Sequence, residues 1–104
     1  MNTPLKIRFE RRGGFTGIPL RIHLEEKDLP IEAQMRLREL LQAHALERHS
    51  RPSTVGADRF TYHLTVINED QEHTFEFSES EMSEEVRSLV EYLSQAARRA
   101  RRLS

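Results

Sequence analysis

Cysteine is missing from this chain altogether, and so is tryptophan. The first absence excludes a disulfide framework, a thiolate zinc site and a cysteine nucleophile. Net charge is nearly absent too: 16 Lys and Arg against 17 Asp and Glu leave −1. No overall field therefore draws the chain to nucleic acid or to an anionic membrane. Long apolar runs are lacking. No stretch approaches the roughly 18 residues that a membrane span needs, and the opening Met1-Asn2-Thr3-Pro4-Leu5-Lys6 has no apolar segment of signal-peptide type. The expectation is a soluble cytoplasmic protein with no membrane partner; leaderless export stays open. Glycine is scarce as well, with four residues in 104, and three of them are Gly13, Gly14 and Gly17.

What is present is alternation. Leu5, Ile7 and Phe9 alternate with Lys6, Arg8 and Glu10, and Ile18, Leu20, Ile22 and Leu24 alternate with Pro19, Arg21, His23 and Glu25. Period two predicts two half-buried strands joined as a hairpin. Pro19 cannot donate to a ladder, which points to an edge or a bulge there. Asp28-Leu29-Pro30 predicts a helix start with Asp28 as cap. A helix from about Pro30 to Glu47 follows, with Met35, Leu37, Leu40, Leu41 and Leu46 as its candidate core residues. Ser50, Pro52, Ser53 and Gly56 then mark a loop.

Phe60, Tyr62, Leu64 and Val66 predict a third strand, Asn68-Glu69-Asp70 a turn, and His73, Phe75 and Phe77 a fourth strand. Val86, Leu89, Val90, Leu93 and Ala97 recur at helical spacing, after several candidate caps between Ser78 and Ser83. The order is ββαββα across a single domain, residues 1–104, with residues 98–104 as a basic C-terminal tail. Largely polar outward positions leave one sheet face open to water. The fold class is α+β: a two-layer sandwich with a four-stranded, mainly antiparallel sheet in the order 2-1-3-4 and two helices on one face.

This topology brings two segments together. A helix of about 17 residues spans roughly 25 Å, nearly the length of a nine-residue strand at about 30 Å. The helix thus returns the chain to the end where the first hairpin turns. Gly13–Gly17 and Ser50–Asp58 are expected to be neighbours there.

No catalytic centre is legible. The five histidines, His23, His44, His49, His63 and His73, fall in no H-E-x-x-H spacing. His73 shares the parity of Phe75 and Phe77, which separates it from His23 and His63. No G-x-S-x-G, Walker or G-x-G-x-x-G motif occurs, and the Gly13–Gly17 loop opens no helix that could cradle phosphate. The chain is expected to be no enzyme and to hold no cofactor and no intrinsic metal. The glycines of the first segment suit a plain hairpin loop that needs positive φ. Phe15 is out of place in that description, because an exposed aromatic on a loop tip either folds back or meets a partner. Asp58 after Gly56 suits a turn cap or a pair with Arg59, Arg11 or Arg12, or a carboxylate offered to a partner. Arg98, Arg99, Arg101 and Arg102 suit a helix C-terminus and a solvated tail. No aromatics interleave with them for base stacking, which disfavours nucleic acid.

Lys6-Ile7-Arg8-Phe9-Glu10-Arg11-Arg12-Gly13-Gly14-Phe15-Thr16-Gly17 resembles the opening of emfourin-type proteins. Ala57-Asp58-Arg59-Phe60-Thr61-Tyr62-His63-Leu64-Thr65-Val66 resembles their central D-R-F-x-Y strand, and His73–Ser78 followed by an amphipathic helix completes the pattern. Emfourin-like proteins are bacterial inhibitors of thermolysin-family metalloproteases, notably protealysin-like enzymes. The resemblance implies a thermolysin-like zinc metalloprotease as partner, blocked by an aspartate on its zinc and by apolar residues in its substrate subsites. By motif, Asp58 is the implied zinc ligand and Phe15, with Thr16 and Ile18, the implied anchor. Gly13, Gly14, Gly17, Val55 and Gly56 complete the implied protease-binding set. The alternative is a non-enzymatic adaptor or binding module that uses the open sheet face or the arginine-rich tail, with nucleic acid as one candidate partner.

Overall fold

A computed structural model describes residues 4–13, 19–49, 60–79 and 82–103. Strands β1 (Lys6–Gly13) and β2 (Leu20–Glu25) lead through a 3-10 turn, Glu26–Asp28, into helices α1 (Ile31–Gln42) and α2 (Ala45–His49). Strands β3 (Phe60–Asn68) and β4 (Gln71–Ser78) follow, and helix α3 (Glu84–Leu103) comes last. The sheet order is β2-β1-β3-β4 with every pairing antiparallel, as expected. Pro19 sits immediately before β2, and β2 is an edge strand. The missing N–H of proline costs no ladder bond at such a position.

Alternation decides which face is dry. Leu5, Ile7 and Phe9 of the first strand region, Tyr62, Leu64 and Val66 of β3, and Phe75 and Phe77 of β4 are all buried, and they form one cluster with the helices. Phe9 and Tyr62 stack with centroids 5.9 Å apart. From α3, Val86, Leu89, Val90, Leu93 and Ala97 are buried as their spacing requires. Ser83 starts that helix by accepting the Val86 N–H on its hydroxyl, at 3.3 Å. Glu84 and Glu85 in the first turn complement the positive end of the dipole.

Four expectations need correction. The helix expected over Pro30–Glu47 is two helices, so three helices cover the sheet rather than two. The break lies at His44, whose φ is 55°. A left-handed residue just past a helix end terminates it, and the His44 N–H turns back to the Leu41 carbonyl at 3.1 Å. Met35 is not core: it is 58% exposed, while Ala33, Leu37 and Leu40 form the buried stripe of α1. Alanine carries little weight in an apolar pattern, so the spacing points to Met35 rather than to Ala33. Asp28 does not cap α1. It ends the 3-10 turn and accepts the Glu25 N–H at 3.0 Å, and Pro30 occupies the cap position. His73 has core parity yet is exposed, because it lies near the β3–β4 turn, away from the buried Phe75 and Phe77.

Glu26 and Arg38 tie the connection between sheet and helices. Arg38 donates to both Glu26 carboxylate oxygens, at 2.7 and 2.6 Å, and the Leu5 N–H reaches the same carboxylate at 3.4 Å. Glu26 is only 8% exposed. The paired guanidinium holds its carboxyl below the ordinary range, against the opposing effect of burial.

The other sheet face is a chequerboard of polar side chains set by register. One row reads His23, Arg8, Thr65, Thr74; the next reads Arg21, Glu10, His63, Glu76. Glu10 bonds Arg12 and lies 3.2 Å from Arg21, Arg8 bonds Glu72, and His63 lies 3.3 Å from Glu76. The bond from Arg12 is the chief reason that the Glu10 carboxyl is held below its ordinary range.

Candidate functional site

The strand ends that flank the two segments singled out in the sequence are paired with each other. Gly13, the last residue of β1, lies opposite Phe60, the first residue of β3. Gly13 has φ of 94°, a conformation that glycine adopts without steric cost. On its other side, among the described residues, β1 pairs with β2 from Lys6 opposite Glu25 to Arg11 opposite Leu20. Of the residues expected to contact a protease, Gly13 is placed by this ladder. Gly14, Phe15, Thr16, Gly17, Ile18, Val55, Gly56 and Asp58 lie outside the described residues.

The inner face of this sheet end has a base that the sequence reading missed. The Arg11 guanidinium lies over the Phe60 ring, 4.3 Å from its centroid. Both residues carry core parity and are partly exposed: Arg11 stands between the buried Leu20 and Tyr62 in its cross-strand row, and Phe60 begins β3, so a cation can cover an aromatic face there and still reach water. The Phe60 carbonyl accepts the Glu79 N–H at 3.1 Å, which binds the end of β4 to the start of β3. Tyr62 lies one layer deeper than Phe60, directly opposite Arg11, and burial pushes its phenol up. Parity could have revealed the Arg11–Phe60 pair: Arg11 continues Leu5, Ile7 and Phe9, and Phe60 begins the series of Tyr62, Leu64 and Val66. Arg12, an alternative partner for Asp58 by sequence, is engaged by Glu10.

The histidines are dispersed. His63 pairs with Glu76, His44 lies 3.6 Å from Glu47, and His73 is exposed. Among the described residues no group of three or more metal-ligating side chains converges. Residues 98–103, expected as a basic tail, belong to the last turns of α3, with Arg98 and Arg99 exposed. No helix among the described residues is long and apolar enough to cross a membrane.

These features define a small α+β scaffold with two segments, 14–18 and 50–59, rooted side by side at one end of its sheet. The emfourin family model matches residues 9–94, and the chain belongs to the emfourin family. No curated protein and no solved structure matches it. The family is one of inhibitors, so membership suggests a protease-inhibitor role and a protease as partner.

Proposed function

We propose that this chain inhibits a thermolysin-family zinc metalloprotease by inserting its two segments into the active-site cleft. The observation that carries this reading is the Gly13–Phe60 register, a single cross-strand pair from which residues 14–18 begin and at which residues 50–59 end. Such partners lie about 5 Å apart, a separation suited to two contacts inside a single cleft.

A catalytic zinc of this kind has three protein ligands and an open position for water. The Asp58 carboxylate takes that position at about 2.0–2.2 Å and displaces the nucleophile. Aspartate, with a reference pKa of about 3.9, is ionised at neutral pH and ready to ligate. Phe15 fills a substrate subsite as the apolar anchor, the kind of contact whose truncation costs about 2 kcal/mol or more. Gly13, Gly14 and Gly17 keep the backbone slim enough for a narrow cleft, and Thr16, Ile18, Val55 and Gly56 line the contact. Zinc and general base belong to the enzyme; this chain supplies a ligand and a plug.

The test is a titration of thermolysin-like proteases with a fluorogenic peptide, using wild type, Asp58→Ala and Phe15→Ala, each checked for folding by circular dichroism. Inhibition by wild type and its loss in both folded variants is the expected result. Wild type that leaves several such enzymes untouched would sink the proposal.

A further inference from the structure

The open sheet face holds a feature that protease inhibition does not use. A depression of ≈ 270 Å³ lies over the row His23, Arg8, Thr65, Thr74. Arg8, Arg12 and Arg21 line it against one carboxylate, Glu10. The Arg8 Nε is the one buried side-chain polar atom without a hydrogen-bond partner among the described residues. Its Nη2 is taken by Glu72. An unpaired buried donor costs about 1–3 kcal/mol, and a guanidinium edge is shaped to meet an oxyanion.

The Thr65 and Thr74 hydroxyls lie 3.0 Å apart on the same row. Only one of the two hydrogens is used between them, so the accepting hydroxyl keeps its own hydrogen to donate. We propose that this depression is a binding site for a small, doubly charged oxyanion of the phosphate class. Arg8 Nε and the threonine pair donate hydrogen bonds to it, and Arg12 and Arg21 supply charge from the rim. Charge and size select the ligand. Among the lining groups three arginines face one glutamate, and Glu72 pairs with Arg8 from beside them. A nucleic-acid strand needs a continuous cationic track. Here the neighbouring row is interrupted by Glu10 and Glu76.

The experiment is an NMR titration of the full chain with inorganic phosphate at constant ionic strength, following arginine Nε–H signals. Saturable binding with the Arg8 Nε–H among the shifted signals is expected. Arg8→Lys keeps the charge but removes that donor, and should weaken binding about tenfold or more. Arg21→Gln, on the edge strand, should weaken it as well. Arg36→Ala, on α1 and outside the lining of the depression, should leave binding unchanged. Glycerol phosphate binding more tightly than inorganic phosphate would identify a small phosphomonoester as the source; the reverse order would identify the free ion. The proposal is overturned by shifts that never saturate, by equal affinity in Arg8→Lys, or by a single-stranded oligonucleotide that saturates the site at far lower concentration than either phosphate.

Discussion

Arg11 and Phe60 are diagonal neighbours across the β1–β3 ladder, and the guanidinium of the first covers the ring of the second at 4.3 Å. The contact closes the apolar layer at the end of the sheet from which residues 14–18 and 50–59 depart. Arg11→Gln should lower stability by about 0.5–1 kcal/mol, the range of a half-exposed cation–π contact. Urea denaturation measures that loss. The same variant is expected to weaken protease inhibition beyond what its unfolded fraction explains, since Phe60 immediately follows residues 50–59.

Asp58→Asn separates charge from shape. The amide keeps the volume of the carboxylate and loses its anionic ligand. Inhibition should fall by roughly 30-fold or more, the equivalent of about 2 kcal/mol, while the thermal midpoint moves by little. An inhibition titration beside a thermal melt distinguishes the two effects.

Acid should loosen the Glu26–Arg38 tie. The Glu26 carboxyl is held below its ordinary value near 4.5 by the Arg38 hydrogen bonds. A depressed folded-state value means that the stabilisation is complete above the unfolded value and disappears as pH falls through the folded one. Wild type is therefore expected to lose stability below about pH 4.5. Glu26→Gln should cost about 2 kcal/mol at neutral pH and show a flatter acid limb in urea midpoints measured against pH.

His44 carries a side chain at φ of 55°, a conformation that costs a non-glycine residue about 1–2 kcal/mol. His44→Gly removes that cost, gives up a weak exposed pairing with Glu47, and adds freedom to the unfolded chain. A net gain of about 0.5–1 kcal/mol is expected from denaturant unfolding.

The facing of α1 gives a paired check. Met35→Lys should change stability by less than about 0.5 kcal/mol, as at ordinary surface positions. Leu37→Ala, at a site 1% exposed, should cost about 2–5 kcal/mol.

The sheet was legible because strand parity is a strong signal. Alternation over Leu5–Phe9, Phe60–Val66 and Phe75–Phe77 placed the dry face; the order 2-1-3-4, which matches β2-β1-β3-β4, is a guess that alternation does not settle. The amphipathic α3 was legible for the same reason. Helix α1 was not, because its buried stripe runs through Ala33 while Ile31 and Met35 face outward. The break at His44 had no glycine or proline to announce it. At the candidate site, the sequence indicated the segments and their shared sheet end. It did not indicate Arg11 and Phe60, because an arginine at a core-parity position looks like a strand end rather than a lid. The depression around Arg8 was hidden for another reason. It depends on which outward residues become neighbours across four strands, and that is a property of register.

The ladder from Lys6 opposite Ile67 to Gly13 opposite Phe60 uses no residue of 14–18 or 50–59. Insertions or replacements within those segments therefore leave every residue of this ladder unchanged, and segments that connect secondary-structure elements generally tolerate such change. On the proposed reading, target choice and foldability are inherited separately: a lineage, or an engineer, can readdress the inhibitor to a new enzyme while the scaffold beneath stays as it is.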